Sequence, residues 1–142
     1  MVKLCSFDLA HYRDRWSNQT LVVCVLHNDD LNQVTWEQRV MEGDPKLEAS
    51  QVLPDFAYAE YARMLGLHGV RVDRPEDVGP AWDAALAAGR PALLEVITDP
   101  EVPPLPPHIS FDQARKLGAA LAKGDPGRAE IVKESVKALL KR

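Results

Sequence analysis

The longest unbroken apolar run, Leu21 to Leu26 (LVVCVL), is rich in β-branched residues and gives way abruptly to His27, Asn28, Asp29, Asp30 and Asn32. A run of this kind predicts a strand buried on both faces inside a parallel sheet. The polar residues fall where its carboxyl end opens into a loop, the end at which open α/β sheets collect ligands. Thr35 or Gln33 then starts a short helix through Trp36, Glu37 and Val40. Upstream, Phe7, Leu9, Tyr12 and Trp16 offer one apolar face for a helix capped by Ser6 and ended by Ser17 and Asn18. Downstream, residues 42–54 carry Gly43, Pro45, Ser50 and Pro54 and predict an irregular connection. Helical spacing returns with Phe56, Tyr58, Ala59, Tyr61, Ala62 and Leu65, closed by Gly66 in a left-handed conformation. A strand over Gly69–Val72 follows. The next helix opens at Arg74–Asp77, with Pro75 near its first position, and runs through Trp82, Ala85 and Leu86 to Gly89. Pro91–Thr98 (PALLEVIT) is the second strongly apolar strand. The proline-dense PEVPPLPP after it predicts an extended segment. Two helices close the chain: Phe111–Lys123, capped by Ser110, and Pro126–Leu140, capped by Asp125 and amphipathic.

Strand, loop, helix, strand, helix, strand in succession predicts an α/β fold, a parallel sheet with helices on both faces. We divide it into an α/β domain over residues 1–107 and a helical tail over 108–142. No strand precedes the first helix, although a parallel crossover needs one, so the chain is expected to start partway through a fold. With 142 residues, 46% of them hydrophobic, the chain is long enough for a core of its own. The net charge of −4 is spread among interleaved acids and bases, which excludes a nucleic-acid footprint. Cys24 lies mid-run, where a thiol behaves as a small buried hydrophobe, and with Cys5 as its only fellow no disulfide framework is expected. Neither a signal peptide nor an apolar run near the ~20 residues of a membrane span is present. The chain therefore reads as cytoplasmic.

Taken alone, Asn28, Asp29 and Asp30 admit two readings. They can be a turn, because Asn and Asp bond nearby backbone and tolerate left-handed conformations. They can also offer a hard cation its oxygens, from the Asn28 amide and a backbone carbonyl beside it. His27 reads as a packing or solvated histidine and Glu37 as a surface charge. Trp36, Trp82 and the tyrosines near residue 60 read as core or interface anchors. His68 and His108 have no zinc-like spacing, and neither cysteine has the neighbours of a nucleophile.

Four ordered segments carry a resemblance: VVCVLHNDDLNQVTWEQRVMEGDPK, DFAYAEYARMLGLHGVRVD, PALLEVITDPEVPPLPPHI and the closing LAKGDP. Together they resemble the carboxyl-terminal domain of thiamine-diphosphate-dependent enzymes, in the pyruvate oxidase and acetolactate synthase branch, over most of the chain from about Asp8 onward. The family signature pairs a Gly-Asp-Gly triplet with a later strand ending in Asn-Asn. Its second half is matched here by His27-Asn28, with His in place of the first Asn. The resemblance implies that the Asn28 amide oxygen and the Asp30 backbone carbonyl bind Mg2+, which bridges the diphosphate. It also implies that Gln33 and Val34 lie against the cofactor and that Glu37 is an active-site acid.

The same resemblance implies decarboxylation of a 2-oxo acid such as pyruvate and transfer of the resulting carbanion to an acceptor, with thiamine diphosphate as the electron sink. Flavin (FAD) is implied only for the central domain of full-length oxidases. Residues 1–27 contain no glycine, so the Gly-Asp-Gly triplet and its carboxylate ligand are missing. The amino-terminal pyrimidine-binding domain, whose glutamate activates the cofactor, has no counterpart either. The chain alone is therefore expected to be an inactive fragment. The alternatives are a non-catalytic subunit of a split enzyme that needs a separately encoded partner, or a folded domain with no ligand. The family implies a homo-oligomer.

Overall fold

The apolar segments form three strands, β1 (Val22–His27), β2 (His68–Val72) and β3 (Ala92–Ile97). They are hydrogen-bonded in the order β1-β3-β2, and both pairings are parallel. The helices are α1 (Asn32–Glu37), α2 (Glu48–Gln51), α3 (Tyr58–Met64), α4 (Val78–Leu86), α5 (Phe111–Ala122) and α6 (Arg128–Leu140). A π turn, Gln38–Glu42, continues α1, and single 3-10 turns lie at Arg13–Arg15 and Pro75–Asp77. This computed structural model describes residues 8–15, 20–102 and 110–140. Ser6, Phe7, Trp16, Ser17, Asn18, Cys5, His108 and most of the proline run lie outside them. The chain forms two compact units, residues 1–27 with 55–98 and residues 28–54 with 99–142.

The first unit holds the sheet. Its register sets Ala92 of β3 against Val22 on one side and His68 on the other, so β3 is the central strand. Leu94 and Ala92 pack with Val72, Ala81 and Ala85 in one apolar cluster, which seats α4 on that face. Successive side chains of a strand point to opposite faces. Glu95 accordingly points the other way, where its carboxylate accepts the Ala59 N–H of α3 at 2.8 Å. The two helices thus cover opposite faces of the sheet, as the α/β pattern predicts.

Two expectations fail here. Among the described residues β1 is an edge strand, with Val23 37% and Leu26 67% exposed. Cys24 is exposed as well, not buried. An apolar run reports which segment forms a strand, but position in the sheet decides two-sided burial, and β3 takes the centre.

Two glycines do conformational work. Gly66 ends α3 at φ 77°, the left-handed value expected of it. Gly69 lets α3 lie directly on β2, because a Cβ there would overlap the Ala59 carbonyl oxygen. Gly69→Ala is therefore expected to destabilise the chain by about 1–3 kcal/mol, the usual cost of forcing atoms into a packed interior, read as a lower urea midpoint at unchanged slope. A midpoint equal to that of the parent chain would rule out the close approach.

The second unit has its own core, in which Trp36, Val40 and Ile131 pack with Leu117 and Leu121. Ser110 caps α5 in a reciprocal capping box with Gln113, so the cap read from the sequence is present. The final helix starts at Arg128, two residues after Pro126, and the Asp125 carboxylate accepts the Gly127 N–H at 2.8 Å just ahead of it. The connection after Gly43 contains the short helix α2 and one antiparallel bridge, Asp30 with Val52.

Candidate functional site

Asn28 follows β1 directly, and its Oδ1 accepts the Asp30 N–H at 3.2 Å. Asp29 between them sits at φ 53°. This is an Asx turn, so the turn reading of these residues is correct as far as local conformation goes. It leaves one lone pair of the Asn28 oxygen uncommitted to this bond. The Asp30–Val52 bridge fixes what comes next. Its ladder bonds are made by the flanking residues, Leu53 N–H to Asp29 O at 2.8 Å and Leu31 N–H to Gln51 O at 2.8 Å. In that kind of antiparallel pair the amide and carbonyl of Asp30 itself point away from Val52. The Asp30 carbonyl oxygen is therefore turned to the side on which the Asn28 oxygen receives the Asp30 amide. An amide oxygen and a carbonyl oxygen are the neutral, hard ligands that suit Mg2+, which takes further oxygens from phosphate and water.

The Asp30 side chain is not the bystander that a carbonyl ligand would allow. It is 7% exposed. Its Oδ1 accepts the Thr35 hydroxyl at 2.6 Å, and its Oδ2 is ion-paired with Lys46 Nζ. Gln51 extends the network, accepting Leu47 N–H at 2.8 Å and donating to Gln38 Oε1 at 2.5 Å.

The other three expected residues lie on α1. Gln33 Nε2 donates to Glu37 Oε1 at 2.8 Å, both side chains being exposed. Val34 is 49% exposed. Gln33 and Glu37 line an open groove of about 610 Å³ together with Val40, Met41 and Gln113. The structure thus joins Asn28 with Asp30, and Gln33 with Glu37.

The same unit holds a set of buried charges that the sequence does not reveal. Arg39, fully buried, forks onto Asp125, with Nε to Oδ2 at 2.9 Å and Nη2 to Oδ1 at 2.8 Å. Its Nη1 reaches Glu101 Oε2 at 3.1 Å, and its Cζ stacks 4.8 Å from the Trp36 ring centroid. Asp125 also accepts the amides of Lys46 and Gly127, each at 2.8 Å. Burial alone would raise the Asp125 carboxyl; the bonds from Arg39, Lys46 and Gly127 outweigh it and hold its pKa below the ordinary value. One signal was available. Arg39 stands three residues after Trp36 and beside Val40, a charge on the stripe that faces the core.

In the sheet unit, His27 is buried, its Nδ1 2.7 Å from Glu95 Oε1 and its ring edge-on to Tyr58 at 5.2 Å. It is the packing histidine expected from its place at the strand end. Glu95 gathers His27, the Ala59 amide and Arg71 Nη1 at 2.9 Å. Burial pushes the Glu95 carboxyl up, but these partners more than compensate and leave its pKa lowered.

The sequence matches the family model described as thiamine pyrophosphate enzyme, C-terminal TPP binding domain, over residues 10–96. The chain belongs to this family. Thiamine pyrophosphate, that is, thiamine diphosphate, is the family's cofactor. One relative is the thiamine pyrophosphate-containing protein YdaP of Bacillus subtilis (strain 168), 30% identical over 86% of this chain and 21% of the relative. A second is the mitochondrial acetolactate synthase catalytic subunit of Aspergillus candidus, 37% identical over 59% of this chain and 12% of the relative. A third is the acetolactate synthase large subunit IlvG of Mycobacterium tuberculosis (strain ATCC 25618 / H37Rv), 42% identical over 37% of this chain and 10% of the relative. The chain thus spans between 10% and 21% of the length of these relatives. As a C-terminal TPP binding domain, the chain is related to acetolactate synthases, and among the described residues no helix is long and apolar enough to cross a membrane.

Proposed function

We propose that this domain holds the diphosphate end of thiamine diphosphate through Mg2+, with the Asn28 amide oxygen and the Asp30 carbonyl oxygen as its protein ligands. The reading is carried by one observation: the Asx turn and the Asp30–Val52 bridge turn these two oxygens to the same side. Gln33 and Val34 stand on the helix that leaves this turn and would lie against the cofactor. Glu37, oriented by its bond from Gln33, would serve as the acid at that surface. When bound, the cofactor supplies the electron sink for decarboxylating a 2-oxo acid, in an enzyme of acetolactate synthase or pyruvate oxidase type. Domains outside these residues, on the same chain or a separately encoded one, would complete the site, in a homo-oligomer. The chain alone would bind without turning over.

Calorimetric titration of the chain with thiamine diphosphate, with and without Mg2+, tests this reading. Heat that depends on Mg2+ and saturates in roughly the micromolar range is the expected result. Its loss in Asn28→Ala, with the fold intact by circular dichroism, would assign the ligand. Absence of Mg2+-dependent heat from a folded sample would overturn the proposal.

A further inference from the structure

We infer that the carboxylate of Asp30, held between Lys46 and Thr35, is a positioning group that aims its own backbone carbonyl at the metal. This rests on the magnesium reading above and deepens it. A residue that contributes only a backbone carbonyl puts no demand on its side chain. Here that side chain is an acid, 7% exposed, on which a lysine and a threonine are spent. Burying a carboxylate is costly unless it is paired, so the arrangement weakens the unit wherever it fails to fix something.

The peptide after Asp30 is held on its amide side by Leu31 N–H to Gln51 O at 2.8 Å, and the carboxylate adds a second restraint on the same residue. The two carboxylate oxygens are tied to different parts of the unit: Oδ1 to Thr35 on α1, and Oδ2 to Lys46 on the segment leading to α2. The bridge to Val52 holds the backbone on the opposite side. The preceding residue, Asp29, sits at φ 53°, the left-handed value that an aspartate tolerates inside the Asx turn. Lys46 is itself set in place, since its amide donates to buried Asp125 at 2.8 Å. The carbonyl of Asp30 is thus held at a fixed angle in advance of any ligand. Mg2+ demands near-ideal octahedral geometry, whereas Ca2+ accepts variable angles and more ligands. A fixed carbonyl therefore selects for Mg2+, and a freed one loses that preference.

The test measures the affinities for Mg2+ and for Ca2+ by calorimetry at saturating thiamine diphosphate. It compares the parent chain with Asp30→Asn, Lys46→Met and Thr35→Ser, and uses Gly69→Ala as a control destabilised elsewhere. The parent chain should prefer Mg2+. Asp30→Asn and Lys46→Met should lower the Mg2+ to Ca2+ affinity ratio about tenfold, within the range that outer-shell partners of metal ligands command. Thr35→Ser, which keeps the hydroxyl, and Gly69→Ala should leave the ratio unchanged. Asp30→Asn keeps the side-chain volume, and Lys46→Met decides the matter should that variant fail to fold. A parent-like ratio in folded Lys46→Met would overturn the positioning role and leave the magnesium site standing. A parent chain with no metal-dependent binding would overturn both.

Discussion

Arg39→Ala is expected to destabilise the second unit by about 3–5 kcal/mol, the cost of removing one partner from a buried ion pair and stranding the other. The stranded group is Asp125, buried with Arg39 and held below its ordinary pKa. Glu101 and the face of Trp36 would lose their cation at the same step. Urea unfolding at pH 7 measures the loss. Arg39→Met combined with Asp125→Leu should recover most of it, because apolar replacement of a whole buried pair is often neutral or stabilising. A loss below about 1 kcal/mol in the single variant would mean that water reaches Asp125, and the buried fork would have to be abandoned.

Glu95→Ala should cost about 3 kcal/mol. It leaves the Ala59 amide and the His27 ring nitrogen without their acceptor inside the sheet unit, and each stranded donor costs roughly 1–3 kcal/mol. The pH dependence carries the clearer signature. The Glu95 pKa is lowered in the folded chain, so its contribution is complete above the ordinary value of 4.5 and is lost as pH falls through the lower folded value. The stability gap between parent and variant should therefore be constant from pH 7 to about 5 and shrink in more acid solution. Asp125 acts in the same direction from its ordinary value of 3.8 downward. A gap unchanged down to pH 3 would mean that these partners do not lower the Glu95 pKa.

Local rules read well from the sequence where one residue decides the outcome. Gly66 had to be left-handed, Ser110 had to cap, and the two later strands lie within a residue or so of their expected ends. The alternation of elements was enough for an α/β fold with both faces covered. What did not read from the sequence was long-range pairing. The apolar run of β1 looks central, and only the register with Ala92–Ile97 reveals that it borders the sheet and that Cys24 is exposed. Arg39 and Asp125 are 86 positions apart, too far for any periodicity to join them. Lys46 and Asp30 are closer, yet a loop separates them and no spacing rule covers a loop. At the candidate site the residue types are legible in the sequence. The direction of the Asp30 carbonyl depends on a bridge with Val52, which no pattern marks.

The position of β3 between two strands that precede it also sets an order of events. Neither β1 nor β2 pairs with the other; each is hydrogen-bonded to residues made later, Val22 to His27 with partners 70 positions downstream in Ala92 to Ile97. A chain emerging from the ribosome therefore cannot zip this sheet in strand order, and the entropy of closing that long loop must be met before β1 gains its neighbour. Nascent chains that stop before Ala92 carry two hydrophobic strands and none of the sheet that would occupy them.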